Sequence, residues 1–155
     1  MAQKELFDKY AGQMMAICLR YCKNQEDAKD LLQEGFFKVL TKIGSFKGQS
    51  RLDTWMTRIF INLALNSFRQ ARKKYHHTEL NENLKEEEVE EIEERDPKKV
   101  LATLQELPEI YRVVINMYAI DGLSHKEISK LLGISEGSSK SRLSRARKLL
   151  NEKLK

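Results

Sequence analysis

The feature that most constrains this chain is a run of negative charge in its middle. Residues 79–96 (ELNENLKEEEVEEIEERD) hold ten Asp and Glu against two Lys and Arg, a net charge of −8. Carboxylates at this density repel one another and bring little apolar surface to bury, so the run reads as a solvated linker rather than part of a core. The chain must then fold on either side of it. The whole sequence has 28 Lys and Arg and 23 Asp and Glu; outside the run, 26 basic residues face 13 acidic ones, a net of +13. Two basic bodies on an acidic strap point to a polyanionic partner.

Both bodies read as helical. The 155 residues include only 2 prolines and 7 glycines, and no long Val/Ile/Thr alternation interrupts them. Before the strap, Leu6, Phe7, Tyr10, Met14, Ile17, Cys18 and Tyr21 recur three or four apart and predict a first helix. Asn24, with Asp27 three residues later, is a helix-start signal, and Ala28, Leu31, Leu32, Gly35, Phe36, Val39, Leu40 and Ile43 form the second stripe. Gly44 and Gly48 bracket a turn. Ser50 with Asp53 is a further capping signal, and a third helix runs through Trp55, Ile59, Leu63 and Leu65 into the basic tail RQARKK. The expected architecture is all-α: a three- to four-helix N-terminal bundle over 1–76, an acidic linker over 77–96, and a small helical domain over 97–155.

In that second domain Asp96-Pro97 starts a helix, since proline is tolerated at the first helical position. Leu107-Pro108 opens another, with the stripe Ile110, Val113, Val114 and Met117, ended by Gly122. Ser124 and Glu127 form a capping box for the short segment HKEISKLL, Gly133 closes it, and Ser135 caps a last helix whose inner face is Ser139, Leu143, Ala146 and Leu150. Short capped helix, glycine turn and second capped helix make the layout of a helix-turn-helix. Ile128, Leu132 and Ile134 would pack the pair, with Ser129 small at the crossing. Lys140, Ser141, Ser144, Arg145 and Lys148 face outward. Arginine and lysine match guanine edges and serine meets base or phosphate, while the N-terminus of the last helix offers backbone amides to a phosphate. From these residues alone, the chain is a DNA-binding module.

Four stretches carry a more specific resemblance: DAKDLLQEGFFKVL (27–40), FKGQSRLDTWMTRIFINLALNSFR (46–69), LPEIYRVVINMYAIDGLSHKEISKLLGIS (107–135) and EGSSKSRLSRARKLL (136–150). In order and separation they resemble the second and fourth regions of RNA polymerase sigma factors of the extracytoplasmic-function type. The resemblance implies a transcription initiation factor that binds core RNA polymerase and promoter DNA and needs no cofactor. Asp30, Gln33, Glu34 and Phe37 then fall in the stretch that docks on a polymerase coiled coil; they share one helix face, with Leu31 turned to the core. Asn62 and Asn66 fall where the family reads the minus-ten element, although an asparagine near a helix end also serves as a cap. Arg69, Arg72, Lys73 and Lys74 would hold phosphates. Ser138, Lys140, Ser141, Ser144, Arg145 and Lys148 would meet the minus-thirty-five element. Trp55 either stacks on a melted base or packs the three-helix core. The resemblance also makes an anti-sigma partner plausible.

The competing reading is a stand-alone helix-turn-helix regulator that dimerises and never touches polymerase. An enzyme is disfavoured: the acidic residues crowd the strap, and no Ser/His/Asp set, phosphate loop or metal motif occurs. Cys18 and Cys22, one turn apart, cannot close a zinc site and read as half-buried helix residues. His76, His77 and His125 have no partners at ligand spacing. No apolar run reaches the ~20 residues of a membrane span, and the opening MAQKELFDKY lacks the apolar stretch of a signal peptide, so a cytoplasmic protein is expected.

Overall fold

The structure is a computed structural model, and it describes residues 2–74 and 96–154. Among the described residues there are seven α-helices and no strand. The linker assigned to 77–96 and the histidines at 76 and 77 lie outside the described residues, apart from Asp96. The chain divides into two compact units, Met1–Ser67 and Phe68–Lys155.

The first unit holds α1 (Ala2–Tyr21), α2 (Gln25–Lys42) and most of α3 (Leu52–Lys74), with a 3-10 turn at Ile43–Ser45. Asn24 starts α2 as its type and spacing require. Its Oδ1 accepts the Asp27 backbone N–H at 2.7 Å, and its Nδ2 donates to the Asp27 carboxylate at 3.3 Å. Met14, Cys18, Tyr21, Ala28, Leu31, Phe36 and Val39 are buried between the helices. At Gly35 there is no room for a side chain: a Cβ there would overlap the ring of Phe60 on α3. Phe36 packs edge-on to that same ring at 5.5 Å between centroids.

Two expectations for α3 are corrected. Its buried line is Met56, Phe60 and Leu63, with Ile61 and Leu65 beside it; Trp55 and Ile59 are only half-buried. Apolar residues surround most of this helix, so periodicity alone does not select the face. Ser50 is not the cap. Helix α3 begins at Leu52, the Arg51 carbonyl accepts the first helical bond from the Trp55 N–H at 3.1 Å, and the Ser50 hydroxyl donates to the Arg51 carbonyl. Arg51 instead pairs with Asp53 at 3.2 Å across the first turn.

The second unit contains α4 (Pro97–Glu106), α5 (Glu109–Ile115), α6 (His125–Leu132) and α7 (Glu136–Leu154). The Asp96 carboxylate accepts the Lys98 N–H at 3.1 Å and Pro97 occupies the first turn, as read from the sequence. The Leu107-Pro108 break removes the next helical donors from the end of α4, where the Leu107 N–H still reaches Leu104 at 3.2 Å, and Arg112 supplies the rest. Its buried guanidinium donates to Leu104 at 3.1 Å, to Leu107 at 2.8 Å and to Gln105 at 3.4 Å. Helix α5 does not run straight to Gly122. It widens into a π turn over Asn116–Ile120, where the Asp121 N–H reaches back to Asn116 at 2.9 Å.

Candidate nucleic-acid interface

Helices α6 and α7 form the helix-turn-helix. The Ser124 hydroxyl oxygen accepts the Glu127 N–H at 3.1 Å and donates to the Glu127 carboxylate at the same distance, which fixes the start of α6. Its end is set by Gly133 at φ +67°, a left-handed conformation that favours glycine. The Gly133 and Ile134 N–H groups both donate to the Ser129 carbonyl, at 2.9 and 3.1 Å. Ser129 is more than a small residue at a crossing, because its hydroxyl donates to the Ile134 carbonyl and staples the turn. Ile128 and Leu132 on α6 are buried together with Ser139, Leu143, Ala146 and Leu150 on α7, the inner face read from the sequence.

The outer face of α7 presents Lys140, Arg145 and Lys148 exposed, with Ser138, Ser141 and Ser144 half-buried beside them. All six residues expected at a minus-thirty-five site therefore belong to this helix and none is in the core. Ser135 caps α7 as read from the sequence: its hydroxyl oxygen accepts the Ser138 N–H at 3.0 Å, which commits that amide to the cap. The Ser141 hydroxyl donates to the Gly137 carbonyl at 3.0 Å, which leaves its oxygen the part turned to a partner.

On α3, Asn62 and Asn66 are both exposed and four residues apart, so they stand one turn above the other on one face. Both lie well inside the helix, which continues to Lys74; the capping alternative for them is removed. Arg69 follows along α3. Arg72 and Lys73 belong to the last turn of α3, and their side chains lie outside the described residues. Trp55 leans on Phe46, their ring centroids 5.2 Å apart at 45°, and is half-buried instead of sitting in the three-helix core.

The third set is on α2. Asp30, Gln33, Glu34 and Phe37 are all exposed on the side away from the core residues Leu31, Gly35 and Phe36. Phe37 is 71% exposed, the largest value for a large apolar side chain among the described residues. Phe7 of α1, 43% exposed, packs at a tilt against the buried Phe36 at 4.8 Å between centroids, on the core side of α2. A phenylalanine held in water beside two carboxylates matches a basic amphipathic helix.

Among the described residues no helix is long and apolar enough to cross a membrane, and no three His, Cys, Asp or Glu side chains are grouped as metal ligands. Cys18 is buried and Cys22 half-buried, both as free thiols. Burial, and next the neighbouring Cys22, push the Cys18 thiol up to about 12. Sequence reasoning missed two buried polar side chains: Arg112, which shapes the α4–α5 corner and whose signal was the proline after Leu107, and Asn116, which donates to the Arg112 carbonyl at 2.9 Å where α5 passes into the π turn.

The sigma-70 region 2 family matches residues 6–74, and the sigma-70 region 4 family matches residues 98–150. The RNA polymerase sigma-H factor of Pseudomonas aeruginosa is 27% identical over 97% of this chain and 87% of its own length. The ECF RNA polymerase sigma factor SigW of Bacillus subtilis is 28% identical over 97% and 88%. The ECF RNA polymerase sigma-E factor of Escherichia coli is 30% identical over 94% and 83%. The fold is shared with the sigma factor RpoE of Bartonella quintana, solved in complex with the anti-sigma factor NepR, at TM-score 0.61 and 24% identity over 97% of this chain and 95% of that one. It is shared also with CnrH in complex with the cytosolic domain of CnrY, at TM-score 0.52 and 22% identity over 99% and 87%. With an exposed acidic-apolar face on α2, a polar line on α3 and a one-sided basic helix-turn-helix on one chain, this protein belongs to the extracytoplasmic-function group of sigma-70 factors.

Proposed function

We propose that this protein binds core RNA polymerase and directs it to specific promoters, with the polymerase carrying the chemistry. Residues 1–76 serve as the docking and minus-ten body, 97–155 as the minus-thirty-five body, and 77–96 as the acidic connection. Asp30, Gln33, Glu34 and Phe37 form the polymerase contact. Asn62 and Asn66 meet unstacked bases of the minus-ten element, whose exposed edges an amide can hydrogen-bond, while Arg69, Arg72 and Lys73 neutralise phosphates. Ser138, Lys140, Ser141, Ser144, Arg145 and Lys148 meet the minus-thirty-five element, with Arg145 as base reader.

The observation that carries this reading is the exposure of Phe37 between carboxylates, on the opposite side of α2 from its core residues. A dimeric helix-turn-helix regulator has no use for that face in the arrangement of these relatives, which match across 94–97% of the chain. Work beside polymerase places the protein in the cytoplasm. The relatives solved with NepR and CnrY support an anti-sigma partner that holds the factor apart from polymerase. Transcription in vitro with core polymerase on a pool of randomised promoters tests the proposal. Enrichment of paired elements at a fixed spacing is expected, and transcripts no different from those of core alone would refute it.

A further inference from the structure

Helix α7 is held against the rest of its domain mainly by apolar contacts, which resist separation but are non-directional and fix rotation about the helix axis weakly. A buried directional contact lies near its start, and an exposed Lys153–Glu106 ion pair at 3.6 Å lies near its end. Ser139 is fully buried, and its hydroxyl shares a 2.8 Å hydrogen bond with Nδ1 of His125, the first residue of α6; the ring tautomer decides which donates. The His125 ring is in turn stacked on Tyr118, 4.5 Å between centroids and 20° between planes. The Arg147 guanidinium lies over that Tyr118 ring at 5.6 Å, two turns further along α7. Tyr118 belongs to the π turn, whose extra residue sets the ring where both partners reach it. Ser139, His125, Tyr118 and Arg147 thus tie the start and middle of α7 to α6 and to the end of α5.

We infer that His125 is a positioning residue for promoter recognition: through Ser139 it fixes the rotation of α7, and so the aim of Arg145 at a base edge. The inference rests on α7 being the minus-thirty-five reader. Ser138 and Ser141 flank Ser139 within the same turn and a half, so a slip at Ser139 moves the DNA-facing side chains directly. Non-specific phosphate attraction tolerates such a slip, whereas bidentate base contact does not.

The test uses the intact protein bound to core polymerase, with promoters selected from the randomised pool and the same promoters mismatched in the minus-thirty-five element. Ser139→Ala and His125→Phe both remove the hydrogen bond, and the second keeps a ring to stack on Tyr118. Each should lower the matched-to-mismatched affinity ratio about fivefold, the order expected for one hydrogen bond. His125→Asn places an amide atom where Nδ1 stood and should recover most of the ratio despite losing the ring; His125→Gln, whose amide reaches the Nε2 position, should not. Thermal melting run in parallel shows whether His125→Phe folds, and Ser139→Ala alone carries the test if it does not. An unchanged ratio in Ser139→Ala, or an Asn variant no better than Phe, overturns the positioning role. If Arg145→Ala also leaves the ratio unchanged, the fault lies with α7 as reader, and the inference falls with it.

Discussion

The ring of Phe60 occupies the space into which a Cβ on Gly35 would project, so α2 and α3 are in backbone-to-ring contact at this point. Phe60 is fully buried and cannot swing into solvent. Gly35→Ala should therefore destabilise the first unit. Overpacking costs about 1–3 kcal/mol and the better helix propensity of alanine returns at most about 1 kcal/mol. Urea denaturation followed by circular dichroism should show a lower midpoint, and a raised midpoint would mean the two helices part easily.

Phe37 offers the converse case, an apolar side chain 71% exposed. Phe37→Ser should leave the melting temperature within a degree or so of the parent, because little burial is lost. The same change should weaken binding to core polymerase by about tenfold or more, as for an aromatic anchor in a docking face. Gln33→Ala with Glu34→Lys should weaken it as well, with the fold intact. Co-purification with core at graded salt measures both effects, and undiminished capture would remove α2 from the docking surface.

Asn62 stands exposed in the interior of α3 and takes no part in the core. Asn62→Ala should keep stability and slightly favour the helix. Open-complex formation should fall, and base choice should relax at one minus-ten position. Permanganate footprinting reports the first and selection from randomised promoters the second; parent-like results in both would leave Asn62 a surface residue.

Arg145 and Lys148 lie three apart on the outer face of α7, and both are exposed. The planar fork of Arg145 can match the two acceptors of a guanine, so Arg145→Ala should cost roughly 1–3 kcal/mol and relax one minus-thirty-five position. Lys148→Ala should weaken all sequences alike and reduce the salt dependence by about one ion. Binding to matched and mismatched sites at two salt concentrations separates them. A uniform loss across sites for Arg145→Ala would reduce it to a phosphate contact.

Cys18 gives a pH dependence with a definite sign. Its thiol ionises at 9.0 when unperturbed and at about 12 in the folded protein, through burial first and Cys22 second. Between those values the unfolded chain loses a proton that the folded chain keeps, so stability attached to this group is intact below pH 9 and falls as pH rises towards 12. Urea midpoints at pH 8 and pH 10 should differ in that direction, and the part of the difference due to this thiol should vanish in Cys18→Ala. At pH 8 a disulfide reagent should modify Cys22 readily and Cys18 only on unfolding.

Much of the architecture follows from local chemistry. Asn24 and Asp27, Asp96 and Pro97, Ser124 and Glu127, and Gly133 each set a helix boundary through atoms within a few residues, so the sequence alone was enough to place them. The inner face of α7 was equally legible, because charge on the opposite side leaves only one apolar line. The face of α3 was not: with apolar residues nearly all round, the choice of Met56 and Phe60 over Trp55 and Ile59 depended on the helix it meets and on the missing side chain at Gly35. Arg112 likewise found its use only when the α4–α5 corner brought three carbonyls to it. The bond from His125 to Ser139 spans 14 residues, and no spacing rule links them. Local propensity settled where helices begin and end. Which polar groups meet across the helices was decided by tertiary packing, since a buried donor or acceptor must find its partner wherever the folded chain supplies one.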